Sequence, residues 1–127
     1  MNVIIKKIRG EDLDYGANPT DPDMFHEQFY LDVECEEQKA TIRLGFNVIT
    51  IGKLVELNSS LWGWGCLVVP SFSWNVVFSN ISSQVSSLTA DTWEETVRNL
   101  AMEFYVFEES TGVEYTRRVV RGRSGNE

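Results

Sequence analysis

The sequence has little of what builds most catalytic and metal sites. It contains a single histidine, His26, and two cysteines, Cys35 and Cys66, that stand far apart in no metal-ligand spacing. One histidine without such companions does not form a zinc site, and no acidic segment has the spacing of a calcium loop. No G-x-S-x-G, Walker or dinucleotide-binding sequence is present. We therefore expect no metal, no cofactor and no enzymatic activity.

Long hydrophobic runs are also missing. The opening run at residues 3–5 is interrupted by charge too soon for a secretory signal, and residues 66–69 are far too few to span a bilayer. Both cysteines lie in apolar or strand-like segments, as free thiols in a reducing compartment do. These features predict a cytoplasmic protein.

Acidic residues dominate the body of the chain. Residues 1–112 carry 17 acids against 7 bases, a net charge of −10, whereas residues 113–127 carry four arginines and two acids, a net charge of +2. Phosphate contact needs basic side chains, so an acidic body disfavours nucleic acid and anionic membranes as partners. The same charge attracts basic proteins and raises their association rates.

Apolar and polar residues alternate in segments typical of antiparallel strands. Residues 3–8, 25–36 and 40–48 are predicted strands, and residues 66–69 form a predicted buried strand that Pro70 ends. In the second strand one face is apolar and the other is acidic. The apolar face comprises Phe29, Leu31, Val33 and Cys35. In the third strand, the side chains expected to face inward are Ile42, Leu44 and Phe46.

The strongest helical signal lies in residues 91–110. Large apolar side chains recur there at steps of four and three, which keeps them on one stripe of a helix: Trp93, Val97, Leu100, Phe104 and Phe107. Asp91 is the predicted cap, with Glu94 completing a capping box. Shorter helices are predicted over residues 51–60, after Thr50, and 71–88, with Ser73 as cap.

These elements predict an α+β fold. We expect a mainly antiparallel sheet of four to five strands packed against two or three helices, in one domain over residues 1–112. Residues 113–127 are expected to form a basic tail, with 113–120 as a candidate edge strand before a disordered end.

The loop at residues 10–24 concentrates acidic residues between two glycines and two prolines. Its four aspartates occur as two pairs, Asp12 with Asp14 and Asp21 with Asp23, which could resemble paired catalytic carboxylates. The favoured interpretation is that they are solvent-exposed charges on a loop. A further feature is the W-G-W-G segment at residues 62–65, where glycines flank two tryptophans. If exposed, this segment would stack on sugars or anchor a protein partner; if buried, it would fill the core.

The chain resembles the immunity protein 8 family of bacterial polymorphic-toxin and contact-dependent growth inhibition systems. The likeness covers about residues 1–110 and rests on five segments that occur in the same order as in the family. These are E-D-L-D at residues 11–14, P-T-D-P-D-M-F leading into F-H-E-Q-F-Y-L-D-V-E, F-N-V-I-T-I-G-K-L-V-E, the G-x-G before C-L-V-V, and D-T-W-E-E-T-V-R-N-L-A-M-E-F-Y-V-F-E-E-S. Residues 71–80 are less acidic and aromatic than the family pattern, and residues 113–127 have no counterpart in it.

The resemblance implies a non-enzymatic α+β protein that binds a cognate toxin domain, encoded by a neighbouring gene, and blocks its active site. If that toxin is a nuclease with a basic active site, an acidic protein is suited to bind and block that site as a mimic of nucleic acid. The candidate contact residues are Asp12, Asp14, Asp21, Asp23, Asp32, Glu34, Glu36, Glu37, Trp62 and Trp64.

Two alternatives remain open at this stage. One is a small-ligand or carbohydrate-binding module that uses Trp62 and Trp64, and the other is an enzyme that uses His26 with a loop carboxylate. The first predicts an exposed aromatic cleft, and the second predicts a pocket that holds both catalytic groups.

Overall fold

The computed structural model describes residues 1–57, 65–110 and 116–118, with the backbone alone described at 108–110 and 116–118. These ranges contain six strands and three helices. In chain order they are β1 Val3–Gly10, β2 His26–Cys35, β3 Ala40–Thr50, α1 Ile51–Leu57, β4 Cys66–Val69, α2 Trp74–Leu88, α3 Trp93–Glu103, β5 Tyr105–Ser110 and β6 Thr116–Arg118. The predicted α+β class is confirmed.

Strand β3 organises the sheet. It pairs antiparallel with β2 over most of its length, with β5 along residues 41–45, and parallel with β4 along residues 47–50. The strand order is β1-β2-β3-β5-β6, with β4 beside β3, so every pairing except β3–β4 is antiparallel. Residues 116–118 of the predicted basic tail therefore belong to the sheet.

The predicted inward faces of β2 and β3 are confirmed. Their side chains at Phe29, Leu31, Val33, Cys35, Ile42, Leu44 and Phe46 are all buried. They form one core with the apolar stripe of α2, which comprises Val77, Ile81 and Val85, and with Trp93 and Leu100 of α3. The opposite face of the sheet, called here the outer face, carries polar and partly exposed side chains that include Tyr30, Asp32, Glu34 and Arg43.

The prediction of one helix over residues 91–110 is wrong in its second half. Helix α3 ends at Glu103, Phe104 is extended (φ −126°, ψ 159°), and the chain continues as β5 along the edge of β3. Aromatic and β-branched residues fit a pleated sheet well, and here Phe104 and Val106 turn into the core while Tyr105 and Phe107 lie only half-buried. From Phe104 onward, buried side chains therefore recur at every second residue, as in a strand, and no longer at the helical spacing of three and four.

The helix also starts one residue later than predicted. Thr92, rather than Asp91, is its N-cap, and the Thr92 hydroxyl accepts a hydrogen bond from the Glu95 N–H at 3.2 Å. The Glu95 carboxylate in turn lies 3.3 Å from the Thr92 hydroxyl, so the capping pair is Thr92 and Glu95. In α2, Ser73 occupies the predicted N-cap position, but its side chain makes no capping hydrogen bond.

The prediction of a buried fourth strand is also wrong. Within the described residues β4 pairs with β3 alone, and Val69 is its one buried residue, whereas Val68 is 46% exposed. Cys66 is accordingly half-buried, while Cys35 is fully buried as expected. The three described helices are all too short or too polar to cross a membrane.

Thr50 joins the end of β3 to the chain that enters β2. Its side chain is fully buried, and its hydroxyl oxygen accepts from the Phe25 N–H at 3.0 Å and from the Lys53 N–H at 3.3 Å. The Thr50 N–H donates in turn to the Phe25 carbonyl at 2.9 Å. One side chain thus caps α1 and fixes the position at which residues 11–25 meet the sheet.

We expect Thr50→Val to lower the free energy of unfolding by about 1–3 kcal/mol, because valine keeps the shape but leaves the buried Phe25 N–H without its hydroxyl acceptor. Urea denaturation measures this change. The matched control is Thr41→Val on the half-exposed outer face of β3, which should change stability by less than about 0.5 kcal/mol. Equal stability of the two variants would show that the hydroxyl of Thr50 is dispensable.

Candidate functional site

The acidic loop, residues 11–25, lies where β2 begins and is fixed by hydrogen bonds to the sheet. The Glu27 carboxylate accepts from the backbone N–H groups of Asp12 at 2.8 Å and Leu13 at 2.9 Å. The Glu11 N–H donates to the Gln28 carbonyl at 2.9 Å, and the Leu13 side chain is buried in the core. The first part of the loop therefore has a defined conformation.

Aromatic residues at the start of α2 hold the rest of the loop. The Trp74 indole N–H donates to the Ala17 carbonyl at 2.6 Å, and the Phe72 N–H donates to the Pro22 carbonyl at 2.7 Å. The Tyr15 ring lies 5.0 Å from the Trp74 ring and 6.5 Å from the Phe78 ring, centroid to centroid. A loop fixed at several points presents its side chains at little entropic cost.

The loop aspartates are exposed and unneutralised. Asp12, Asp14, Asp21 and Asp23 all point to solvent, and within the described ranges no basic side chain forms an ion pair with any of them. Beside them lie two exposed rings, Tyr15 at 61% and Phe78 at 37%. These six residues are called the acidic-loop surface below.

The acids on β2 are in a different electrostatic position. Asp32 accepts two hydrogen bonds from the Arg43 guanidinium, at 2.8 and 3.0 Å, and the Lys6 ammonium lies 3.6 Å from the Glu34 carboxylate. The predicted acidic outer face of β2 is therefore a face of mixed charge. The cause is the sheet register, which places Arg43 opposite Asp32, and the bulge in β1 between Ile5 and Lys7, where Lys6 lies.

Glu36 and Glu37 tie the start of the chain to the turn between β2 and β3. The Asn2 N–H donates to the Glu37 carboxylate at 2.8 Å, the Asn2 side-chain amide donates to Glu36, and the Glu36 N–H donates to the Asn2 carbonyl at 3.1 Å. The backbone N–H of Asn2 also lowers the pKa of the Glu37 carboxyl. These two candidate contact residues have a structural role in the free protein.

The structure describes His26 of the enzyme hypothesis but not the two tryptophans of the carbohydrate-binding hypothesis. Trp62 and Trp64 lie outside the described residues, as do residues 58–60 of the helix predicted over 51–60. His26 is exposed at the start of β2. Among the residues with described side chains, no three histidine, cysteine or acidic groups come together to hold a metal ion. Partial burial raises the pKa of the Cys66 thiol, which makes it a poorer nucleophile at neutral pH.

The outer face holds a second group of residues that sequence reasoning missed. Phe107 of β5 lies over Gly45 of β3, its ring 5.4 Å from that of Tyr30, and the Arg9 guanidinium lies 5.6 Å from the Tyr30 centroid. The alternation of β2 puts Tyr30 on the face opposite Phe29 and Leu31. The helical spacing of residues 91–110 includes Phe107, so its contact with Gly45 has no signal in the sequence.

Comparison with protein-family models, with curated proteins and with solved structures finds no match to this chain. Membership of the immunity protein 8 family therefore stays a prediction.

Proposed function

We propose that this protein is an immunity protein that binds a cognate bacterial toxin domain through the acidic-loop surface and blocks its active site. The observation that carries the proposal is the unneutralised state of Asp12, Asp14, Asp21 and Asp23 on a loop fixed to the sheet and to α2. The protein acts in the cytoplasm of the producing cell, and binding rather than catalysis is its activity.

Charge and aromatic surface have separate parts in this binding. Four exposed carboxylates on one loop attract a basic surface during diffusional encounter and raise the association rate. Tyr15 and Phe78 supply the apolar contact area that holds a complex after encounter, as aromatic anchors do at many interfaces. A nuclease active site, which is basic because it holds phosphate, has the complementary charge.

The strand acids contribute less to this attraction. Asp32 and Glu34 are paired with Arg43 and Lys6, so their charges are largely cancelled at a distance. Of the ten candidate contact residues, the four loop aspartates are therefore the ones on which the proposal depends.

The proposal is tested by co-expressing this protein with the polypeptide encoded by the adjacent gene. We expect the neighbour alone to arrest growth, co-expression to restore it, and the two proteins to purify as a 1:1 complex. A catalytically inactivated form of the neighbour serves as the control for binding without toxicity. A toxic neighbour that neither binds this protein nor is neutralised by it would refute the proposal.

A further inference from the structure

The outer face of the sheet contains a cleft of about 430 Å³ that the acidic-loop surface does not use. Two neighbouring rows of side chains across the strands build it. One row runs from Arg9 through Tyr30 to Gly45, and the next runs from Lys7 through Asp32 to Arg43. The volume lies within the range of about 300–1,000 Å³ that is typical of small-molecule sites.

The floor of the cleft is aromatic and has a fixed shape. Gly45 lets the Phe107 ring lie directly against β3, because a β-carbon at that position would overlap the ring. Phe107 in turn lies 5.4 Å from Tyr30 and 6.5 Å from Tyr105, centroid to centroid. A planar ring can stack on such a floor, with a gain that aromatic pairs show beyond simple burial.

Cations line one side of this floor. Arg9 uses one N–H on the Gly10 carbonyl at 3.2 Å, and within the described residues neither Arg9 nor Lys7 forms an ion pair. Of the two acids at the cleft, Asp32 is neutralised by Arg43, and Glu11 lies exposed. The cleft is thus lined by three basic and two acidic side chains. It is positively charged, although the net charge of the protein is −8.

We propose that this cleft is a binding site for a small molecule that joins a planar ring to an anionic group, either phosphate or carboxylate. The ring stacks on Tyr30 and Phe107, and the anion accepts hydrogen bonds from Arg9 and Lys7. Arginine forms charge-assisted hydrogen bonds with both kinds of anion, and such bonds are about twice as strong as neutral ones. This inference is independent of the proposed toxin partner.

The test is a titration of the 127-residue protein, followed through its amide resonances by NMR, with phenyl phosphate and with benzoate as probes. Inorganic phosphate and acetate supply the two anions without a ring, and phenol supplies the ring without an anion. We expect at least one probe to shift the amide signals of Lys7, Tyr30 and Phe107, and to bind about tenfold more tightly than either half alone. Shifts confined to other surfaces, no binding of either probe at millimolar concentration, or equal binding of inorganic phosphate would overturn the proposal.

Variants of the cleft separate this site from general attraction of anions. Arg9→Gln should weaken binding of the successful probe about tenfold, because it removes the charge on the principal donor. The control Arg98→Gln makes the same change at an exposed position of α3 and should alter affinity by less than about twofold. Phe107→Leu should also weaken binding while keeping an apolar side chain over Gly45. Equal affinities of the Arg9 and Arg98 variants would refute the site.

Discussion

Replacing Phe29 with alanine is expected to lower the free energy of unfolding by about 3–5 kcal/mol. Phe29 is completely buried, and its ring contacts the rings of Phe25, Phe46, Phe72 and Trp74 at centroid distances between 5.4 and 6.1 Å. Truncation therefore removes contacts with the loop, with β3 and with the start of α2 at once. Since small domains are stable by about 5–15 kcal/mol, a loss of this size leaves a marginal fold.

Urea denaturation of the purified variant measures this loss. Phe78→Ala deletes the same side chain from a partly exposed position on α2 and should cost about 1 kcal/mol. Phe29→Leu, which keeps an apolar side chain, should fall between the two. If Phe29→Ala were no more destabilising than Phe78→Ala, the aromatic cluster would not be the point at which loop and sheet depend on each other.

The alternation in β2 and β3 made the centre of the fold predictable. Phe29, Leu31 and Val33 of β2 and Ile42, Leu44 and Phe46 of β3 face inward and are all large and apolar. A shift of register by one residue would expose this whole set, and only one assignment buries it. Helix α2 was predictable for a similar reason, because Val77, Ile81 and Val85 repeat at four-residue steps.

The second half of the predicted long helix failed because its pattern fits two periods. Phe104 and Phe107 continue a helical stripe, yet residues 104–107 are all aromatic or β-branched, a composition that also suits a strand whose successive side chains turn to opposite faces. The outcome depends on the free edge of β3, where Leu44 pairs with Val106. That edge is a tertiary feature, and local spacing carries no information about it.

The acidic loop was predictable as an exposed segment, whereas the prediction of an acidic outer face on β2 was wrong, because Arg43 and Lys6 pair with Asp32 and Glu34. Arg43 faces Asp32 because the β2–β3 hairpin pairs Cys35 with Ala40, and the length of the turn between these strands predicts that register. The pairing of Glu34 with Lys6 could not be predicted, because a bulge shifts the register of β1 near Lys6. Exposure thus follows from composition, whereas neutralisation depends on strand neighbours.

Neutralising the loop aspartates is expected to slow capture of the toxin domain by tenfold or more at low salt, on the order of magnitude that electrostatic steering contributes. The variant is Asp12→Asn, Asp14→Asn, Asp21→Asn and Asp23→Asn together. Asparagine keeps an oxygen acceptor, so the bond from the Asp23 N–H to the side chain at position 21, 3.1 Å in the native protein, can persist. Stopped-flow association with an inactivated toxin domain, measured over a series of salt concentrations, follows the change.

A second variant decides whether position or total charge causes the effect. It removes the same number of charges from exposed acids outside the acidic loop that form no ion pair within the described residues, by the changes Asp91→Asn, Glu94→Gln, Glu95→Gln and Glu103→Gln. If the acidic-loop surface makes the contact, the loop variant loses both its rate and most of its salt dependence. At about 0.1 M salt the second variant keeps the greater part of each, because screening there limits the reach of charges outside the contact to about 10 Å. Equal losses in the two variants would mean that net charge alone steers the partner, and the contact surface would then have to be sought elsewhere.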